Sequence, residues 1–226
     1  MKRSKRYQEL AQKIDKTKSY PVASAIKLVK ETGATKFDSS VEIHVRLGID
    51  TGKSDQQVRG AITLPHGTGK TKKIVAFVSP EKDKEAKEAG ADLVGGQDLI
   101  DEIKKTGKAN FDIAVATPDM MPKLAVVARL LGPRGLMPSP KNETITTNLK
   151  KTIGELKKGK INFKNDDTAN VHQIIGKVSF TEKQLLENYE VFFNALKKAR
   201  PSSAKGNYIE NITLASTMGP GVKVQL

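Results

Sequence analysis

The hydrophobic period of this chain changes twice, and those two changes constrain its fold more than any other feature. Val41, Ile43, Val45, Leu47 and Ile49 alternate with Glu42, His44 and Arg46, the pattern of a strand with one buried and one wet face. A helix is predicted before it over residues 21–32, with Val22, Ala25, Ile26 and Val29 at helical spacing and Gly33 as a stop. A second strand, over residues 61–64, ends at Pro65.

From Gly67 to Gly159 the alternation disappears. Residues 73–78, Lys-Ile-Val-Ala-Phe-Val, form a short apolar run of the kind a parallel strand shows when both its faces are covered. A charged helical stretch over 81–89 stops at Gly90. Apolar residues Leu93 and Val94, a helical stretch over 98–105, an apolar run over 111–116 and a helical stretch over 123–131 continue the rhythm. Such βαβα punctuation defines a small α/β unit with a parallel sheet.

After Gly159 the chain turns strand-rich again, over residues 160–164, 171–180, 208–215 and 222–225. One long helix over 182–198 interrupts it, capped by Thr181 and stopped by Pro201. Neither terminal third holds enough elements for a core of its own. The expected fold class is therefore mixed, α/β and α+β, in two domains. Residues 1–67 and 160–226 pair into one discontinuous α+β domain, with 68–159 inserted as a Rossmann-like α/β domain. Gly67, Gly69 and Gly159 then fall at the two chain crossings, where backbone freedom permits hinge motion.

Charge indicates a class of partner. The net charge is +14, spread as +6, +5 and +3 over residues 1–67, 68–159 and 160–226, so it attracts polyanions without marking a face. A nucleic acid fits this best. No apolar stretch approaches the roughly 20 residues needed to span a bilayer, and no apolar core follows the basic start, Met1 to Tyr7, so no membrane partner and a cytoplasmic location are expected. The chain has no cysteine, which excludes disulfides and Cys-based zinc sites.

Motifs for catalysis are missing. The run His66-Gly67-Thr68-Gly69-Lys70-Thr71 approaches a phosphate-binding P-loop, but Leu64 stands where the first glycine is needed. No G-x-G-x-x-G follows a predicted strand, and there is no G-x-S-x-G elbow. His44, His66 and His172 are far apart and lack metal-ligand spacing. No cofactor, metal or enzymatic activity is expected. Residues 132–140, rich in Gly and Pro around Arg134, read either as a rigid surface turn or as a contact loop with exposed apolar residues.

Two short segments remain. Thr217-Met218-Gly219-Pro220-Gly221 joins the last two strands, and a plain turn explains its glycines and proline but not a methionine at its tip. Apolar surface flanked by hydroxyls and bare backbone N–H groups suits the shallow minor groove of A-form RNA. Lys36-Phe37 offers a cation and a ring at the mouth of the first strand, with Phe37 equally readable as core.

Residues 34–38, 53–60, 64–70, 116–121, 131–138 and 216–221 together resemble the large-subunit ribosomal protein L-one family in its bacterial form, and the resemblance covers nearly the whole chain. It implies the same two-domain arrangement, the mobile stalk of large-subunit rRNA beside the tRNA exit site as target, and help in the release of deacylated exit-site tRNA. It also implies repression of the chain's own operon mRNA, a monomer within the ribosome, and no catalysis. Carried onto matching positions, the RNA contacts are Lys36, Phe37, Ser40 and Glu42 beside Ser216, Thr217, Met218 and Gly219, with Phe163, Lys164, Asp166 and His172 as a secondary cluster. Ser40 and Asp167 stand where the family pattern has threonine and lysine, and Thr168-Ala169-Asn170 departs from its glycine-containing turn.

Overall fold

A computed structural model describes residues 4–15 and 17–225, so Met1, Lys2 and Arg3 of the basic start lie outside the described residues. In chain order the elements are α1 (Lys5–Gln12), α2 (Val22–Thr32), β1 (Ser40–Leu47), β2 (Arg59–Thr63), β3 (Ile74–Phe77), α3 (Asp83–Glu88), β4 (Leu93–Gly95), α4 (Gln97–Thr106) and β5 (Ile113–Ala116). They continue with α5 (Met121–Leu124), α6 (Ala128–Leu131), α7 (Leu149–Lys157), β6 (Lys160–Lys164), β7 (Asn170–Lys177), α8 (Glu182–Lys198), β8 (Ile209–Ser216) and β9 (Val222–Val224). The chain divides into two compact units, Met1–Gly69 with Ile161–Leu226, and Lys70–Lys160.

The first unit is built on an antiparallel sheet ordered β7-β1-β8-β9, with β2 and β6 forming a separate pair. Strand β1 lies inside this sheet, so both partners of an N-terminal strand come from the far end of the chain. Its alternation works as the sequence predicts: Val41, Ile43, Val45 and Leu47 are buried with Ile26 and Val29 of α2, Leu185, Phe192 and Leu196 of α8, and Leu214 of β8. Each such side chain contributes roughly 1.5–3 kcal/mol on burial. Helix α8 starts with a full capping box, in which the Thr181 hydroxyl accepts from Gln184 N–H and the Gln184 side chain accepts from Thr181 N–H.

The second unit carries a parallel sheet ordered β4-β3-β5, as the unalternated apolar runs predict. Strand β3 is buried along its whole length. Val75 and Phe77 face one side of it with Ile100, Ile103 and Leu124, while Ile74 and Ala76 face the other with Leu149, Ile153 and Leu156. Helix α7 is absent from the sequence reading, although Leu149, Thr152, Ile153 and Leu156 follow helical spacing and are buried. The helix expected over 123–131 is broken into α5 and α6 by a tight 3-10 turn at Ala125–Val127, where two β-branched valines disfavour α geometry. Leu136 and Met137 of the 132–140 segment pack partly buried against this core, while Pro133 and Arg134 are exposed.

Gly67, Gly69 and Gly159 all have positive φ, at 63°, 73° and 97°, a backbone region that favours glycine. No helix follows Gly69-Lys70, so the phosphate cradle that a P-loop builds on a helix N-terminus has no counterpart. Gly67 is not free backbone. Its carbonyl accepts from the Asn188 side chain, which also donates to the Ile175 carbonyl and accepts from His66 N–H. Asn188 is fully buried within α8, and all three bonds are satisfied inside the first unit.

Replacing Asn188 with alanine leaves buried backbone groups without partners, so Asn188→Ala is expected to destabilise the first unit by about 2–4 kcal/mol. Urea unfolding checks this. A loss below about 0.5 kcal/mol contradicts the assigned role.

Candidate nucleic-acid interface

The sheet register brings the two short segments together. Val41 pairs with Ser216 across the β1–β8 ladder, and the ladder runs one residue beyond the strands. Thr217 N–H donates to the Ser40 carbonyl at 3.0 Å, and Ser40 N–H donates to the Thr217 hydroxyl at 3.1 Å. The loop 33–39 and the turn 216–221 therefore lie side by side at one end of β1.

The loop is braced from within. Thr35 hydroxyl donates to the Phe37 carbonyl at 2.5 Å and lies 2.7 Å from the Ser39 hydroxyl, which donates to the Gly33 carbonyl. Asp38 is fixed by Ser179, whose N–H and hydroxyl both donate to its carboxylate. With the backbone tied down, Phe37 stands out at 53% exposure, which decides against the core reading of this ring. Lys36 is exposed beside it.

The turn is equally constrained. Gly219 N–H donates to the Ser216 carbonyl at 2.8 Å, and a Cβ at Gly219 would lie 2.1 Å from Ser216 Oγ, so a larger residue there requires the serine hydroxyl to turn away. Met218 takes φ 73°, a left-handed conformation that costs an L-residue roughly 1–2 kcal/mol. Its side chain is 67% exposed. Ser216 is only 4% exposed and its hydroxyl has no protein partner. A buried unpaired hydroxyl beside two exposed apolar side chains is a combination that stability alone does not favour.

Ser40 is buried rather than presented, its hydroxyl accepting from the Lys177 ammonium at 3.1 Å. Lys177 also donates to the Asp38 carbonyl, so it is a cation of this cluster that the sequence reading missed. Arg6 of α1 is another. Its guanidinium donates to the Ala34 carbonyl at 2.8 Å and to the Met218 carbonyl at 2.9 Å, one bond to each half of the cluster. Nothing in the local sequence marks either residue, because both act through tertiary placement.

Glu42 points to the wet face of the sheet, near His44 (3.9 Å). The three histidines read as separate in sequence are not all separate in space. His44 and His172 oppose each other across the β1–β7 ladder with their Nδ1 atoms 2.8 Å apart, so one ring donates and the other accepts. Burial holds the His44 pKa below the usual histidine value, helped by His172 and opposed by Glu42. Among the described residues no three His, Asp or Glu side chains are grouped as a metal ion would require.

The secondary cluster does not assemble as expected. Phe163 is a core residue, 5% exposed and edge-on to Phe192, because the inward positions of β6 fall on Ile161 and Phe163. Lys164, beside it, faces out. The Asp166 carboxylate is occupied in its own turn, accepting from Thr168 N–H, Thr168 hydroxyl and Asn170 N–H. These bonds, led by that from Asn170, hold its pKa down at about 2. The turn they close places Ala169 at φ 64°, so an alanine here takes up a conformation ordinarily left to glycine. His172 is exposed, 3.4 Å from Asp166.

The braced loop and turn put the chain in the class of proteins with a preformed surface of exposed apolar tips and cations. Comparison with known proteins gives the class a family. The defining pattern of the ribosomal protein L1p/L10e family matches residues 28–220. The chain is similar to the large ribosomal subunit protein uL1 of Mesoplasma florum, 52% identical over 223 residues, covering 99% of this chain and 98% of that protein. It is similar also to the proteins of that name from Thermobifida fusca and Nocardia farcinica, each 51% identical and covering 99% of this chain and 95% and 94% of theirs. The chain belongs to the ribosomal protein L1p/L10e family, whose role is structural rather than enzymatic. Among the described residues no helix is long and apolar enough to cross a membrane.

The Asp166 turn makes a pH-dependent contribution. A carboxylate with a depressed folded pKa adds stability above its unfolded value near 4, and that contribution is lost as pH falls through about 2. Asp166→Ala is therefore expected to lower Tm at pH 7 by more than it does at about pH 2. Equal losses at both pH values in thermal melts would show that the carboxylate charge is not what holds the turn.

Proposed function

We propose that this protein is a component of the large ribosomal subunit that binds the mobile stalk of large-subunit rRNA through the surface formed by Lys36, Phe37, Ser40 and Glu42 beside Ser216, Thr217, Met218 and Gly219. The observation that carries this reading is the juxtaposition at the end of β1. Two exposed apolar side chains, Phe37 and Met218, stand on the loop and the turn that the Ser40–Thr217 bonds hold together, in a chain of net charge +14. RNA supplies what that surface lacks: ribose and base faces for Phe37 and Met218, and phosphates for Lys36. Glu42 accepts from a 2′-hydroxyl or a guanine amino group. Ser40, Ser216 and Gly219 contribute by shaping the backbone, His172 extends the surface along the wet face of the four-stranded sheet, and Lys164 presents a further cation from β6.

The resemblance supports finer roles. A stalk that moves beside the exit site assists the release of deacylated tRNA, with Gly69 and Gly159 as the freer pivots and Gly67 pinned by Asn188. A leader of the chain's own operon mRNA that reproduces the stalk's shape competes for the same face and represses translation.

Two measurements test this. Met218→Ala is expected to weaken binding to a transcribed stalk fragment at least tenfold while leaving the slope of log K against log salt nearly unchanged, since the thioether neutralises no phosphate. Lys36→Ala is expected to lower that slope by about 0.7–0.9. Wild-type affinity for Met218→Ala would sink the reading. Crosslinking in lysate followed by RNA sequencing is expected to recover one stalk segment and one messenger leader, and recovery of the stalk alone would remove the repressor role.

A further inference from the structure

We infer that Arg6 is a positioning residue for this surface, acting as a clasp that holds its two halves in register; the inference rests on the RNA-binding reading above. The two halves are joined at their base by the Ser40–Thr217 bonds. Toward the tips, the loop and the turn are each braced internally, and the cross-links between them given by the structure are those at Ser40–Thr217 and at Arg6. Two donors on one planar guanidinium reach the Ala34 carbonyl at 2.8 Å and the Met218 carbonyl at 2.9 Å. The fork geometry of arginine fixes the spacing between the groups it binds, which a lysine ammonium does not do.

The second carbonyl is that of the strained residue. Met218 holds φ 73° at a cost of roughly 1–2 kcal/mol, and a strained residue persists only where its surroundings over-determine it. Gly219 N–H fixes the turn on one side of Met218 and Arg6 fixes the Met218 carbonyl. Without the guanidinium, the turn is free to leave the left-handed conformation, and the thioether leaves the place where it is presented.

Arg6 has a defined origin for its reach. Helix α1 is capped by Ser4, whose hydroxyl accepts from Tyr7 N–H. It is anchored after its end by Ile14, which enters the core of the first unit. Tyr20 then runs alongside β9, its N–H donating to the Lys223 carbonyl and its carbonyl accepting from Gln225 N–H. Arg6 also lies outside residues 28–220, the span matched by the family pattern.

The test is a double-mutant cycle on the full chain, with a transcribed stalk fragment of large-subunit rRNA as the probe. Arg6→Ala is expected to weaken binding about tenfold, as loss of two charge-assisted bonds at an exposed site allows. In the Met218→Ala background the same change is expected to cost less than about threefold, because the side chain it positions is gone. Arg6→Lys is expected to bind as weakly as Arg6→Ala. The salt slope stays at the wild-type value in both, and thermal melts confirm that each variant is folded. Additive losses in the cycle, a salt slope lowered by about 0.7–0.9, or wild-type binding by Arg6→Lys would each overturn the clasp, marking Arg6 as an independent phosphate contact or a bare charge. If Met218→Ala weakens binding and Arg6→Ala does not, this inference alone fails. If Met218→Ala binds as tightly as wild type, the RNA-binding reading fails and the clasp with it.

Discussion

Strand β1 needs hydrogen-bond partners on both edges, and the chain supplies both from its other end. That requirement orders everything around it. Pairing with β8 sets Val41 against Ser216, and a shift of one residue would turn Val41, Ile43, Val45 and Leu47 out to solvent and Glu42, His44 and Arg46 into the core. The register is therefore held by burial. The exposed surface at the end of β1 inherits that register: the loop of Phe37 and the turn of Met218 are joined because four apolar residues further along the strand are buried.

The same dependence explains a division of labour among the polar residues. Ser39, Thr35, Asp38 and Asn188 spend their hydrogen bonds on backbone and on neighbouring loops. Their work is to hold backbone that would otherwise be mobile. What the loop and turn then present includes Phe37 and Met218 with the Lys36 cation beside them. Preorganisation of this kind reduces the ordering cost of binding, since loop and turn are fixed before a partner arrives.

Much of this was legible in the residue pattern. The alternation from Val41 to Leu47, the unalternated β3 and the Thr181 cap each encode their structure locally, and the deduction that the termini share one α+β body needed only the count of elements on each side of the insertion. What escaped the sequence depended on distance or on ambiguity of type. His44 and His172 are 128 positions apart, and only the β1–β7 register makes them a pair. Phe37 lies in a loop where no periodicity separates exposed from buried, whereas Phe163 shares the alternation of β6 with Ile161, a short signal that the family resemblance overrides. Helix α1 buries no residue, and its short stripe of Tyr7, Leu10 and Ala11 does not mark Arg6, whose partners lie 28 and 212 positions away.

A central strand whose two neighbours are synthesised much later has a consequence for assembly. When β1 leaves the ribosome it has no partner, and its apolar face waits until β7 and β8 follow. The parallel sheet of Lys70–Lys160 has only local connections, so it can close while the first unit is still incomplete. Once folded, it replaces a flexible loop of about 90 residues with a compact body, which removes much of the entropic cost of bringing the chain's ends together. The folded insertion thus shortens the stretch of unfolded chain across which β7 and β8 must find β1, whose unpaired edges are otherwise open to aggregation.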